Sequence, residues 1–230
     1  MDRDNSLGFY GRGMREPMLT SRHYIPLLNF SKLLRATIGN RLAQTENMSI
    51  LDLGCGEKPY QPFFDRKYSS YIGVDITSYS LADVAASSEN LPFKKGSFDL
   101  CLSTYAYEHL PDPRQTTREV YRILRENGTL LLSTHAVASV HNYPSDYWRW
   151  TDQGLKMMLK EYFLDIDVYE IVTPLETIIH LASLYLPTNK FGSLCTLFLN
   201  KFAQFLGRSS LNESLPRLVG SYFVVARKEG

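Results

Sequence analysis

"ILDLGCGEKPY", from Ile50 to Tyr60, places two glycines one residue apart directly after an apolar run that is long enough for a strand. Glycine lets the backbone turn sharply and approach a ligand closely. In an open α/β sheet, ligands bind beyond the carboxyl ends of the strands, where the strand order reverses. Gly54 and Gly56 therefore predict a ligand site at the end of a first strand.

Strand-like runs recur along the rest of the chain, and helical patterns lie between several of them. The predicted strands are Ser49–Leu53, Ser70–Asp75, Leu81–Ala85, Phe98–Ser103, Thr129–Thr134, Leu164–Val172 and Gly220–Ala226. The early strands are continuously apolar, which is typical of parallel strands buried on both faces. We expect an α/β fold: a doubly wound, mostly parallel sheet of seven strands with helices on both faces.

Apolar residues at helical spacing predict a helix from Tyr24 to Leu42, a second from Pro113 to about Arg125 and a third that begins at Thr151. Asp112 is placed to cap the second helix. We expect one domain over residues 1–230. Its parts are an N-terminal helical extension (1–47), a cofactor-binding half (48–135) and an acceptor-side half (136–230), which includes a helical insertion at 174–215.

The charge, the cysteines and the N-terminus argue against a nucleic-acid-binding protein and against a secreted one. The net charge of +1 over 230 residues gives no general electrostatic attraction to nucleic acid, so we expect no nucleic-acid partner. The three cysteines, Cys55, Cys101 and Cys195, form no paired pattern, and the polar N-terminus carries no apolar secretory signal. We therefore expect a cytoplasmic protein without a membrane-spanning helix.

The residues after the two glycines point to the kind of ligand. Asp75 ends the second predicted strand, where an acid commonly binds ribose hydroxyls. A dinucleotide site would have a third glycine where this chain has Pro59, and Glu57 would repel a pyrophosphate. A nucleoside with a cationic amino-acid tail avoids that conflict, and S-adenosylmethionine is such a ligand, with its ammonium accepted by Asp52 and the loop carbonyls.

Four stretches in order resemble the class I, Rossmann-like S-adenosylmethionine-dependent methyltransferases, in particular the type 11 small-molecule group. They are "LDLGCG" (Leu51–Gly56), "IGVDI" (Ile72–Ile76), "ENLPFKKGSFDLCLSTYAYEHLPDP" (Glu89–Pro113) and "EVYRILRENGTLLLST" (Glu119–Thr134). The resemblance covers roughly residues 48–135. It implies S-adenosylmethionine as cofactor and S-adenosylhomocysteine as product.

The resemblance also implies a cofactor-binding set, in which Asp52 and the glycines hold the methionine end and Asp75 holds the ribose. The family often has an aspartate at the position of Ser87, so the adenine contact here falls to Ser87, Ser88 or Glu89. Tyr105, Tyr107 and Glu108 would line the cofactor. The full predicted set is Asp52, Gly54, Cys55, Gly56, Asp75, Ile76, Ser87, Ser88 and Tyr105.

The segment "STHAVASVHNYPSDYWRWT", Ser133 to Thr151, is the densest polar and aromatic cluster of the chain. It follows the fifth predicted strand, where an acceptor would bind. His141, or else His135, is the candidate general base, because an unperturbed imidazole titrates near neutrality. Asp146 would orient the base, and Tyr147 and Arg149 would contact the acceptor. The alternative is that His135 is a satisfied strand-end residue and that the tryptophans close the core.

The pattern H-x-x-P-x-D-Y-x-R-x-T is similar to one in type 11 methyltransferases that modify surface glycans or lipid-linked sugars. This looser resemblance makes a sugar hydroxyl the leading small-molecule acceptor. An N or C acceptor of another metabolite is the alternative. We expect no metal, because the sequence offers no convincing carboxylate set for a catechol-type magnesium site.

The segment 174–207 alternates apolar stretches with few charges. It is interpreted as a helical cover over the acceptor pocket, as a homodimer face, or as a peripheral membrane patch that admits a lipid-linked substrate. Two rival functions stay open at this point. One is a non-catalytic S-adenosylmethionine-binding or scaffolding protein, and the other is a nicotinamide oxidoreductase.

Overall fold

The fold was analysed in a computed structural model that describes residues 9–43, 45–65, 67–76, 81–142, 144–207 and 215–230. The strands are β1 (Met48–Leu53), β2 (Tyr68–Asp75), β3 (Val84–Ala85), β4 (Phe98–Thr104), β5 (Leu124–His135), β6 (Asp165–Glu170) and β7 (Ser221–Arg227). The helices are α1 (Tyr24–Arg41), α2 (Pro113–Ile123), α3 (Asp152–Leu159), α4 (Pro174–Leu184) and α5 (Lys190–Leu206). Short helical turns lie at Phe9–Gly13, Gln61–Phe64 and Tyr107–His109.

All seven strands form one sheet in the order β3-β2-β1-β4-β5-β7-β6. β7 runs antiparallel to both of its neighbours, and the other pairs are parallel. The strand order reverses between β1 and β4, so the carboxyl ends of these two strands border the crevice where α/β sheets bind ligands. The predicted mostly parallel, doubly wound sheet is confirmed.

Helices cover both faces of the sheet, as predicted. On one face α2 and α3 contribute Val120, Ile123, Leu155 and Leu159, which pack against Leu51, Cys101 and Leu132 of the strands. On the other face α1 contributes Phe30, Leu34 and Ile38, which pack against Ile50, Leu100 and Phe223. α4 and α5 pack on each other and on α1. Successive strand residues therefore face opposite layers, as the period of a strand requires.

Helix α2 begins where it was predicted but ends earlier. The Asp112 side chain caps it by accepting hydrogen bonds from the backbone amides of Arg114 and Gln115. The helix was expected to end at about Arg125, and it ends two residues earlier, at Ile123. Leu124 has an extended backbone, is fully buried and pairs with Phe98, so β5 starts immediately after Ile123. Burial of Leu124 in the core overrides the helical pattern of the preceding turns.

The other boundaries differ from the predicted ones by a few residues. The largest differences are at β5, which is predicted from Thr129 and observed from Leu124, and at β3, which is predicted from Leu81 and observed only at Val84–Ala85. The insertion contains α4 and α5, while residues 208–214, near its predicted end, lie outside the described part of the chain. No described helix combines the length and the hydropathy that crossing a bilayer would require.

The segment before α1 joins two distant parts of the molecule. Arg15 donates to the carbonyl of Pro59, beyond the glycine loop, at 2.8 Å. Arg22 donates to the carbonyls of Leu184 and Leu186 at the end of α4. Asn200 of α5 donates to the carbonyls of Leu19 and Ser21, both at 2.8 Å. Residues 15–22 therefore bridge the glycine loop and the α4–α5 pair.

Phe30 gives a test of how firmly α1 belongs to the domain. Its ring is fully buried and makes edge contacts with Tyr60, Tyr105 and Phe223, at centroid distances of 5.0, 5.6 and 5.7 Å. Phe30→Ala removes these contacts and leaves a cavity, so we expect the free energy of unfolding to fall by about 3–5 kcal/mol. Urea denaturation would measure this loss.

Lys32→Ala, at an exposed position of the same helix, is the matched control and should change the free energy of unfolding by less than about 0.5 kcal/mol. A loss below about 1 kcal/mol for Phe30→Ala would show that α1 docks weakly on the sheet.

Candidate functional site

The loop after β1 is a sharp turn that depends on glycine. Gly54 and Gly56 have φ angles of +69° and +48°, in the left-handed region that side chains rarely adopt. The amides of Gly54 and Cys55 both donate to the carbonyl of Val74 at the end of β2. A Cβ atom at Gly54 would lie 2.7 Å from the Cβ of Ala106, so the turn also needs glycine for close packing.

Asp75 is tied to this loop. Its Oδ2 accepts a hydrogen bond from the backbone amide of Gly56 at 2.9 Å. A Cβ atom placed on Gly56 would meet nothing within 4 Å, so open space lies beside the loop. Glu57 packs against the backbone at Gly11, and burial raises its pKa. The arrangement matches the predicted crevice, with one carboxylate at its edge.

Asp52 lies at the base of the crevice, on β1. It is nearly fully buried and accepts a hydrogen bond from the hydroxyl of Tyr71 at 2.6 Å. Burial raises the pKa of Asp52 to about 7, and the Tyr71 hydrogen bond only partly offsets that rise. A buried carboxyl of this kind favours a cation as neighbour, because a positive charge would stabilise its ionised form.

The other predicted cofactor residues occupy different environments. Cys55 is buried, its sulfur lies against Gly73, and burial raises its pKa. Ile76 is largely exposed at the end of β2. Ser87 is exposed and accepts from the amide of Glu89, whereas the hydroxyl of Ser88 is bonded to that of Thr116 in α2. Ser88 is therefore engaged by the fold, and Ser87 is the more accessible of the two serines.

Tyr105 connects the crevice to the acceptor side. It has a φ angle of +51°, and its amide donates to the carbonyl of Ser133 in β5. The ring lies between Phe30 and His135, at centroid distances of 5.6 and 4.9 Å. The strained backbone turns the chain sharply at the end of β4 and places the following turn, Tyr107–His109, beside the end of β5.

A cluster of Glu108, His135 and His141 forms at this place. One ligand-type atom from each of the three residues lies within 4.8 Å of the other two. Glu108 comes from the turn after β4, His135 ends β5, and His141 belongs to the loop before α3. The sequence predicted both histidines but did not assign Glu108 to a chemical role beyond lining the cofactor.

Glu108 is fully buried. Its Oε2 accepts from the hydroxyl of Thr134 at 2.8 Å, while its Oε1 has no hydrogen-bond partner in the described part of the chain. Burial raises the pKa of Glu108 to about 7. Burial also lowers the pKa of His135 to about 3, with further lowering by His141 and Arg149. His135 is therefore neutral at physiological pH.

All five histidines of the chain gather around this part of the molecule. The rings of His109 and His141 lie 4.9 Å apart, those of His135 and His141 5.6 Å apart, and those of His23 and His180 5.5 Å apart. His23 and His180 also repel a charge on His135. Sequence reasoning missed His23 and His180, and no local motif marks them, since they lie 157 positions apart.

The loop that carries His141 is held by an internal ion pair. Asp146 accepts two hydrogen bonds from the Arg149 guanidinium, at 2.5 and 2.6 Å, and one from the backbone amide of His141 at 2.9 Å. The Arg149 contact holds the pKa of Asp146 well below its usual range. Asp146 Oδ2 lies 3.5 Å from Nδ1 of His141, while the roles of His141 as base and of Asp146 as its orienting group stay predictions.

Tyr147 and the tryptophans fasten this loop to the core. The backbone amides of Tyr147 and Trp148 donate to the carbonyl of Glu108, and the Trp148 indole donates to the carbonyl of Leu110. Trp150 packs against the core formed with α2 and α3. The side chain of Tyr147 is more than half exposed. Contacts of Tyr147 and Arg149 with an acceptor stay predictions.

Comparison with known proteins finds methyltransferases that are similar to this chain. A family model described as a methyltransferase domain, of the type 11 group, matches residues 51–132. An uncharacterized methyltransferase of Mycobacterium sp. (strain KMS) is 34% identical over 95 residues, which are 37% of this chain and 38% of that protein. The chain thus spans well under half of that relative's length. Residues 51–132 are therefore similar to the methyltransferase domains of the class I S-adenosylmethionine-dependent family.

More distant similarities extend over more of the chain. A malonyl-[acyl-carrier protein] O-methyltransferase of Hamiltonella defensa is 25% identical over 159 residues, which are 61% of this chain and 59% of that protein. A Bacillus halodurans putative methyltransferase structure has a TM-score of 0.54 and 17% identity, covering 85% of this chain and 99% of that one. A Haemonchus contortus phosphoethanolamine N-methyltransferase, solved with S-adenosylhomocysteine, has a TM-score of 0.56 and 17% identity, covering 86% and 53%.

Asp52 gives a prediction that separates stability from binding. Folding raises the pKa of the Asp52 carboxyl to about 7. The folded state therefore loses stability as the pH rises from the carboxyl's usual pKa to about 7. Asp52→Asn removes that charge and keeps an acceptor for Tyr71. We expect its unfolding midpoint to exceed that of the wild type by a few degrees at pH 8 and to match it at pH 4, as thermal denaturation would show.

The same substitution should weaken binding of S-adenosylmethionine, because a neutral amide no longer stabilises the ammonium. Asp99→Asn, on β4, is the control and should leave binding of S-adenosylmethionine unchanged, since Asp99 is partly exposed and pairs with Arg125. An Asp52→Asn protein that is less stable than the wild type at pH 8 would contradict the assignment.

Proposed function

We propose that this protein transfers the methyl group of S-adenosylmethionine to a hydroxyl of a small molecule, with a sugar hydroxyl as the leading acceptor. One observation carries the proposal. The glycine loop follows β1, while Glu108 follows β4 and His135 ends β5, so the loop and the buried cluster lie at the same carboxyl edge of the sheet. This placement supports a donor site beside an acceptor site.

The residues of the crevice fit S-adenosylmethionine rather than a dinucleotide. Asp52 supplies a buried carboxyl for the ammonium, and Asp75 supplies the acid for the ribose hydroxyls. Gly56 leaves space for the ligand beside the loop. The two carboxyls suit a cationic ligand and oppose a pyrophosphate, and Lys58, the basic side chain of the same loop, is already paired with Asp83.

Methyl transfer is an in-line displacement in which the protein contributes mainly by positioning and by excluding water. The acceptor oxygen forms a bond to the methyl carbon while the carbon–sulfur bond breaks and its electron pair goes to sulfur. The hydroxyl proton needs a base. Nδ1 of His141 faces the carbonyl of Ser139, which can only accept, so Nε2 carries the lone pair that takes the proton.

The related malonyl-[acyl-carrier protein] enzyme raises a carboxylate as a second candidate acceptor. Buried Glu108, with an Oε1 atom that lacks a partner among the described residues, would repel an anionic acceptor at this place. A carboxylate also needs no base, and the histidine cluster would then have no role. These two points favour a hydroxyl.

Asp75 provides the test of the donor site. Asp75→Ala removes the acid for the ribose and the bond to the Gly56 amide. We expect at least about tenfold weaker binding of S-adenosylmethionine by calorimetry, since a charge-assisted hydrogen bond contributes about 1.5–3 kcal/mol. Glu161→Ala, at an exposed carboxylate that pairs with Arg114, is the control and should leave the affinity unchanged.

Turnover is followed as S-adenosylhomocysteine formed with a panel of sugar hydroxyls and carboxylic acids. Methylation of the carboxylic acids alone would overturn the choice of acceptor, and unchanged affinity in Asp75→Ala would overturn the donor site. Binding of S-adenosylmethionine without turnover on any acceptor would favour the non-catalytic alternative. Preferential binding of a nicotinamide dinucleotide would overturn the function as a whole.

We further propose that the acceptor is lipid-linked and that α5 contacts a bilayer surface. Phe191, Leu194, Phe198, Phe202 and Phe205 share one side of α5 and are between 45% and 73% exposed. Lys190 and Lys201 lie along one edge of this apolar stripe, and the helix contains no acid. An apolar stripe flanked by lysines fits an anionic bilayer surface. A homodimer face is the competing use of the stripe.

Liposome flotation tests this surface. We expect the wild type to float with phosphatidylglycerol-containing vesicles more than with neutral ones, because lysines attract anionic lipid and the phenyl rings insert. Phe198→Ser combined with Phe205→Ser should abolish flotation. Ser193→Ala, exposed on the same helix, is the control.

Absence of binding to either kind of vesicle would contradict the membrane proposal. A concentration-dependent dimer that the double variant disrupts, seen by sedimentation, would assign the stripe to self-association instead. The cytoplasmic location and the lack of a nucleic-acid partner stay predictions.

A further inference from the structure

The histidine–glutamate cluster has the composition and spacing of a metal site. Ligand atoms bound to one ion at about 2.0–2.2 Å are separated from each other by roughly 3–3.5 Å. Nε2 of His135 and Oε1 of Glu108 are already 3.5 Å apart. The three ligand-type atoms, with His141 included, lie within 4.8 Å of one another. Side-chain adjustments of about 1 Å would bring all three to bonding distance.

The hydrogen bonds around the cluster leave one ligand atom free on each residue. Nδ1 of His135 is bonded to the hydroxyl of Ser221 at 3.1 Å, so its Nε2 faces Glu108. Nδ1 of His141 lies 3.2 Å from the carbonyl of Ser139, which fixes a proton on Nδ1 and a lone pair on Nε2. Such outer contacts set the tautomer of metal-binding histidines.

Glu108 supplies an independent observation. Its Oε2 is held by Thr134, while its fully buried Oε1 has no hydrogen-bond partner in the part of the chain described here. A buried polar atom without a partner costs free energy, and native structures seldom leave one. A cation bound between Oε1 and the two imidazoles would satisfy this atom.

The nearby charges also accommodate a cation. The positive charge of Arg149 acts on Glu108, and Arg149 is paired with Asp146. An ionised Glu108 together with the Asp146–Arg149 pair, whose two charges cancel, sums to one negative charge. A divalent ion therefore enters a site that is negative before binding.

We propose that Glu108, His135 and His141 bind one divalent transition-metal ion of the zinc class. Two imidazoles and one carboxylate are typical of zinc and ferrous sites, whereas magnesium and calcium prefer sites made of oxygen ligands. The proposal replaces our expectation from sequence that no metal is bound. That expectation considered only a carboxylate-rich magnesium site.

The role of the ion rests on the proposed function, while the site itself does not. A hydroxyl bound to such an ion has a lowered pKa, and its proton passes to solvent water. In the metal-bound protein His141 is a ligand, and the ion takes over activation of the acceptor hydroxyl from it. Three protein ligands leave a coordination position for that hydroxyl.

Binding of Co²⁺ and Zn²⁺ to tag-free full-length protein, stripped with a chelator, tests the site. We expect about one ion per chain by mass spectrometry of the metal, and a visible Co²⁺ absorption typical of nitrogen and oxygen ligands. His141→Ala is the main variant because His141 is partly exposed and its loss spares the core. We expect its Co²⁺ affinity to fall at least about tenfold.

Asn142→Ala, at the exposed neighbouring position, is the matched control and should bind Co²⁺ like the wild type. Glu108→Gln, checked for folding by circular dichroism, should lose the ion as well, since an amide is a poor ligand. Wild-type protein that takes up no ion, or His141→Ala protein that binds Co²⁺ as tightly as the wild type, would overturn the proposal.

Calorimetry with S-adenosylmethionine on the same samples separates the two proposals. A protein that binds the donor and forms S-adenosylhomocysteine but takes up no ion disproves the metal site alone. A protein that binds one ion through His141 but does not bind the donor disproves the function and leaves the metal site standing.

Discussion

The left-handed turn at Gly54 is the constraint on which the arrangement of the candidate site depends. The turn brings the loop back onto β2, where the carbonyl of Val74 receives two of its amides, and it brings Gly54 into contact with Ala106 after β4. Any side chain at Gly54 would push these elements apart. Because β1 and β4 border the point where strand order reverses, the same turn fixes the width of the crevice.

Two buried carboxyls, Asp52 on β1 and Glu108 in the turn after β4, both carry an unfavourable cost of burial. Burial raises the pKa of both Asp52 and Glu108 to about 7. Asp52 has Tyr71 as a hydrogen-bond donor, while Glu108 has Thr134 on one oxygen only. Burying such groups is unfavourable for folding unless a ligand compensates. In the proposals made here, a cationic ligand stabilises the first carboxyl and a metal ion the second.

The parts of the fold that depend on local sequence pattern were predictable. Apolar runs gave the strands of the parallel half, and the Asp112 cap gave the start of α2, because burial and capping act through neighbouring residues. The end of α2 was not predictable, since Leu124 leaves the helix to pair with Phe98, 26 positions earlier in the chain. Pairing between distant segments carries no local signal.

The candidate site likewise has one part that the sequence predicted and one part that it did not. The glycines and Asp75 stand in a recognisable order along the chain, and the structure brings them together at one loop. Glu108 was visible only as an acid within an apolar stretch, and its position beside His135 and His141 depends on the backbone turn at Tyr105. The lack of a magnesium-type acidic motif therefore did not exclude a metal site assembled from three separate segments.

The bridge formed by residues 15–22 has a mechanical consequence. Arg15 of this bridge donates to the carbonyl of Pro59, beyond the glycine loop. Arg22 links the bridge to the end of α4, and Asn200 links it to α5. A shift of α5 of even an ångström would strain those hydrogen bonds unless the bridge moved with it. A displacement of α4 or α5 would therefore be transmitted through residues 15–22 to the carbonyl of Pro59, so the outer helices are mechanically coupled to the segment beside the glycine loop.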